Sequence, residues 1–124
     1  MSAPVLLAVG LVGGLGALAR FTLDGAVAAR LGRQLPFGTL AVNLSGAFAL
    51  GVLAATLSGD AYRIAGTGFL GAYTTFSTFA FESVGLSQRG RHGPMLANLT
   101  ASVLGGAIGA TIGILLATLV NRQF

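Results

Sequence analysis

Gly68-Phe69-Leu70-Gly71-Ala72-Tyr73-Thr74-Thr75-Phe76-Ser77-Thr78-Phe79 is an apolar stretch that makes a poor continuous helix. Gly66, Gly68 and Gly71 lead into crowded hydroxyl and β-branched residues, and glycine and threonine both disfavour helical geometry. A break near its middle is expected. No charged side chain lies between Ile64 and Phe81, so the break falls inside a run apolar enough to lie in a bilayer. Non-helical backbone at membrane depth is tolerated only where it lines a cavity or binds something, and its freed carbonyls suit a cation. Phe76 and Phe79 share a face, and Thr75, Phe79 and Glu82 trace an adjoining stripe. Lipid contact or ordinary packing would account for the phenylalanines taken alone.

Working outward, the same pattern repeats. Of 124 residues 54% are hydrophobic and only 8% charged, against about a quarter charged in soluble domains, so lipid is the solvent that fits. Uncharged runs cover Met1–Ala19, Gln34–Gly59, Ile64–Phe81 and Gly93–Asn121, each close to or longer than the roughly 20 residues that cross a bilayer. The expected fold is an all-α membrane protein, one domain over 1–124, with transmembrane helices at roughly 3–30, 36–58, 63–88 and 94–120. The first run lacks a positive leading region and is longer than a secretory signal core, so it is expected to be retained. Arg20, Arg30, Arg33, Arg89 and Arg91 fall on one side of this arrangement, and Arg63, Arg122 and the amino terminus on the other. The positive-inside rule puts the first side in the cytoplasm. Glycines four apart, at 10 and 14 and at 105, 109 and 113, would let neighbouring helices approach closely.

The remaining polar residues are few. Thr39 and Asn43 share a face of the second helix, and Asn98 and Ser102 one of the fourth. Each alone fits an interhelical hydrogen bond that merely holds helices together, and a serine hydroxyl can be satisfied by the carbonyl one turn back. Together, an amide, hydroxyls and phenylalanine ring edges make a lining of donors and positive quadrupole edges with little formal charge, which favours a small anion. The net charge of +4 and Arg20 would help attract one.

Several classes are excluded. With no cysteine and only His92, disulfide, thiolate, zinc and triad chemistry lack their parts. The seven arginines sit between apolar runs instead of forming the basic face of a nucleic-acid binder, and no acid, base and nucleophile set exists outside the loops, so an enzyme is not expected.

Three separated motifs resemble the Fluc fluoride channels, also called CrcB proteins. They are Gly13-Gly14-Leu15-Gly16-Ala17-Leu18-Ala19-Arg20-Phe21, Gly38-Thr39-Leu40-Ala41-Val42-Asn43-Leu44-Ser45-Gly46 and the stretch from Gly68 to Phe79. The third is highly specific. The resemblance extends over essentially the whole chain and implies an antiparallel, dual-topology-like dimer with two pores that pass fluoride passively out across the cytoplasmic membrane. It implies that backbone carbonyls of Gly71 and Thr74 hold a structural sodium ion at the dimer centre. It implies that Phe76 and Phe79 line the path with Asn43, with Thr75, Ser77, Thr78 and Ser102 as further donors. Glu82 would sit toward a pore mouth, and Arg20 would support the structure or a vestibule. Phe21, Ala72 and Asn98 depart from the family's usual residues, Asn98 standing where a tyrosine is common.

The arginine bias, five against two, opposes free insertion in both orientations, so the partner is either a second copy or an oppositely oriented paralogue. Two rivals stay open on sequence alone. A small multidrug transporter matches in size, but its first-helix carboxylate is missing here. A purely structural protein would use the polar groups only to bind helices together.

Overall fold

A computed structural model of the chain describes residues 1–123, in which all regular structure is helical. α1 spans Ala3–Leu31, α2 Phe37–Thr56 and α3 Gly59–Tyr62. A π-helical segment follows at Arg63–Leu70, then α4 at Gly71–Tyr73, α5 at Phe76–Gln88 and α6 at His92–Gln123. Three helices, α1, α2 and α6, are long and apolar enough to cross a membrane. At 1.5 Å per residue α2 is about 30 Å long, the thickness of a hydrocarbon core. By the same measure α1 and α6 reach about 43 and 48 Å and extend into the headgroup layers.

The third apolar run is helical from Gly59 onward but is cut at Thr74 and Thr75, both extended, with ψ 158° and 120°. Before the cut, the chain winds in the wide π form through Gly66 and Gly68, a rare geometry frequent at functional sites.

Packing is inverted relative to a soluble domain. Val42, Leu70, Leu86 and Ala117 are the buried apolar residues, while Leu6, Leu11, Leu18, Ile108 and Leu115 stand exposed. Contiguous exposed apolar surface on this scale needs lipid or a partner to cover it.

What holds the helices together is close backbone approach. A Cβ at Gly16 would overlap the backbone of Phe69, and Gly13 lies against Gly68, so the glycines of the first helix pack on the π segment. The contacting pair is therefore 13 and 16, whereas Gly10 and Gly14, four apart, have nothing within 4 Å. The spacing rule identifies a smooth face without saying which glycines meet a neighbour. On α6 the stripe does its expected job: Gly105 meets the Leu44 side chain, and Cβ atoms at Gly113 and, from the other side, at Gly51 would overlap the Phe48 and Ala110 backbones. Arg91 donates to Gln34 O at 3.2 Å, which puts the α1–α2 and α5–α6 turns, with their arginines, at one end.

Candidate ion-conducting site

The site begins with how the break is held open. Asn43, on α2, donates from Nδ2 to Thr75 O at 2.9 Å and accepts from the Thr75 N–H on Oδ1 at 2.8 Å. One carboxamide pairs both backbone groups of a buried residue, much as an adjoining strand would, and the two bonds fix which way the amide points. Thr75 also caps α5: its Oγ1 accepts from the Thr78 N–H at 3.2 Å, satisfying one of the orphan donors of a helix start.

These bonds have a consequence one turn earlier. In an unbroken helix the Thr75 N–H would pair with Gly71 O, and the Thr78 N–H with Thr74 O. The first is taken by Asn43 and the second by the Thr75 hydroxyl. Among the described residues no other backbone hydrogen bond reaches either carbonyl, and both Gly71 and Thr74 border the same open groove.

That groove, about 590 Å³, runs along the break and is lined without a charged side chain. It gathers Asn43, Thr75, Phe76, Phe79 and Ser102. The two rings lie 5.7 Å apart and tilted by 52°. Phe76 is 80% exposed, so its ring faces out of the single chain. Ser102 differs from several other helical hydroxyls. Thr22, Thr56, Thr111 and Thr118 each donate to the carbonyl one turn back, the usual fate of a helical hydroxyl. Among the described residues Ser102 makes no such bond, which leaves its donor uncommitted at the groove wall.

Other sequence-derived candidates lie elsewhere. Thr78 borders a second cavity of about 230 Å³ with Arg20, Asp24 and Thr39, and Thr75 borders both. Ser77 lines neither; its hydroxyl lies 3.3 Å from Thr75 Oγ1. Glu82 also stands outside both cavities and accepts from the Thr39 hydroxyl, tying α5 to α2. Losing that donor in Thr39→Val is expected to destabilise the fold by about 1–2 kcal/mol, read as a lower unfolding midpoint in detergent; an unchanged midpoint would show the bond to be idle. Asn98 faces neither cavity: it is buried and donates to Ser83 Oγ at 3.0 Å. Ser83 was not among the sequence candidates, since a serine beside a glutamate near a helix end carries no signal of its own.

Apolar surface outward and polar groups converging on a broken helix define a multi-pass membrane protein built to handle ions. The profile of the family described as CrcB-like protein, Camphor Resistance (CrcB), matches residues 7–114, and the chain belongs to that family. A relative named Fluoride-specific ion channel FluC 2 from Mycolicibacterium paratuberculosis is 50% identical over 117 residues, 94% of this chain and 96% of that one. A protein of the same name from Mycobacterium tuberculosis is 45% identical, covering 91% and 90%. The Fluoride-specific ion channel FluC of Syntrophotalea carbinolica is 42% identical, covering 90% and 96%. The match places the chain in the cell membrane.

Proposed function

We propose that this chain is a fluoride-selective channel, not an enzyme, which lets fluoride leave the cell passively and so lowers its cytoplasmic level. The observation that carries this is the uncharged groove at the break, where donors and ring edges meet, together with the names its relatives bear. Fluoride is small and tightly hydrated, so a path for it must replace water with dense, well-aimed donors. Asn43 Nδ2 has two protons and spends one on Thr75 O, leaving the other for an ion. The Ser102 hydroxyl is free, and the Phe76 and Phe79 rings offer positive edges. Thr78 would extend the donors beyond the break, with Ser77 behind Thr75; Arg20 lines the second cavity, which would serve as a vestibule, and Glu82 would lie toward a mouth.

The channel would be an antiparallel dimer in the lipid bilayer, with either a second copy or an oppositely oriented paralogue, each subunit crossing four times with the broken run as third passage. The exposed Phe76 ring and the open groove support this, since a lone subunit leaves half of the path unwalled. The arginine bias gives each subunit a preference for its amino terminus outside. A sodium ion would sit at the dimer centre as a structural ion. The Gly71 and Thr74 carbonyls, relieved of their helical partners, are suited to hold it, and its charge would offset anion repulsion between two pores.

The test is efflux from liposomes loaded with fluoride or chloride. The purified protein is expected to empty the fluoride vesicles and leave chloride trapped. Fluoride that stays inside overturns the proposal.

A further inference from the structure

Among the described residues, the one fully buried hydrogen bond between two side chains joins α6 to α5: Asn98 Nδ2 to Ser83 Oγ, 3.0 Å, with Asn98 8% and Ser83 5% exposed. The Ser83 proton is already committed to Phe79 O at 2.8 Å, so the hydroxyl can only accept from Asn98. A relay results: carboxamide on α6, hydroxyl on α5, then the carbonyl of the residue whose ring borders the groove. Phe79 and Ser83 are one turn apart on one face of α5, so whatever fixes the azimuth of Ser83 fixes that of Phe79.

The rest of α5 leaves that azimuth loosely defined. Only Ser83 and Leu86 are buried on it, and Asn43 grips it only at the backbone of Thr75, in an extended joint ahead of its first helical residue. Leu86 is apolar and tolerates sliding contacts; a hydrogen bond with a set direction does not. The neighbouring residue Glu82 is held from α2 by Thr39. Adjacent residues point about 100° apart around a helix. One tie would let α5 pivot, whereas two ties from different helices at different azimuths fix its rotation.

We propose that Asn98 is a positioning residue: through Ser83 it sets the rotation of α5 and therefore the aim of the Phe79 ring, and so governs discrimination between anions. This rests on the channel function above. It also accounts for a polar residue at a point of α6 that borders neither cavity.

The test places 4-fluorophenylalanine at position 79 alone and follows its ¹⁹F resonance in the purified, assembled protein. Asn98→Leu and the smaller change Ser83→Ala are each expected to shift or broaden that resonance. Each is also expected to lower the fluoride-over-chloride permeation ratio by roughly three- to tenfold, the range one interhelical hydrogen bond in a bilayer supplies. The double variant is expected to lose no more than either single one. A resonance unmoved in both variants overturns the proposal, as do losses that multiply in the double variant. Because the ¹⁹F signal needs no transport, a wild-type protein that retains fluoride removes the channel function while the positioning of the ring is still measured.

Discussion

Asn43→Ala is expected to remove fluoride efflux while leaving much of the helical content in place. Two hydrogen bonds to the Thr75 backbone disappear together; its buried N–H is left unpaired, at a cost of about 1–3 kcal/mol, while its carbonyl keeps only the bond that an N-cap residue accepts from its own helix. The Thr75 N–H then has an obvious new partner in Gly71 O, one helical turn back. Pairing there would extend the helix through the break, reclaim a carbonyl that now stands open, and swing the Phe76 and Phe79 rings. Flux should fall by roughly a hundredfold or more, the equivalent of about 2.8 kcal/mol across two such bonds. Asn43→Asp separates the two jobs of the side chain. Its carboxylate still accepts from the Thr75 N–H but cannot donate, and it sets a negative charge against the passing anion. Flux is expected to be lost as completely as in Asn43→Ala, while the Thr75 amide stays protected from hydrogen exchange in the aspartate variant and loses protection or changes partner in the alanine one. Wild-type flux through Asn43→Ala would mean that this carboxamide is only an anchor.

How much of this was visible in the amino-acid order depends on the range of each interaction. The break was legible because its causes are local: glycines and threonines in series raise the helix cost wherever they occur. The lipid-facing character of α1, α2 and α6 was legible for the same reason, being a matter of composition over twenty residues. That Asn43 belongs with Thr75, Phe76 and Phe79 came from family resemblance, and its two-point grip on the Thr75 backbone did not follow from either source. The partner lies 32 residues away, and nothing in a 3.6-residue period specifies which carbonyl an amide will meet. The Asn98–Ser83 bond was hidden likewise: Asn98 stands out in the sequence as polar at depth, but its acceptor is an ordinary serine on a different helix. Ser77 is a different case. It sits in the middle of the specific motif, yet it lines neither cavity directly and meets only the Thr75 hydroxyl that borders both, because three consecutive helical positions cannot all face one path.

The glycines allow a second strong test, since sequence spacing ranks Gly14 and Gly113 alike and the packing does not. At Gly113 a Cβ would run into Phe48 O and come within 3.0 Å of Val52 N, both backbone atoms that cannot rotate aside. The contact lies in the α2–α6 pair, which Gly51 closes from the opposite side against Ala110, so the helices cannot slide to make room without opening the other crossing. Overpacking of this kind costs typically about 1–3 kcal/mol for a few atoms, and Gly113→Val adds three carbons where none fits. Stabilities of whole domains are only about 5–15 kcal/mol, so Gly113→Val is expected to leave little or no monodisperse protein on size-exclusion chromatography. At Gly14 a new Cβ meets nothing within 4 Å, and alanine is the better helix former by about 0.8–1.0 kcal/mol. Gly14→Ala is therefore expected to yield the wild-type amount of protein with an unchanged or slightly raised unfolding midpoint. Equal damage from both substitutions would place a neighbour against Gly14 in the assembled protein. Equal tolerance would show that α2 and α6 do not meet at Phe48 and Gly113, and the wall that presents Asn43 and Ser102 to the groove would lose its support.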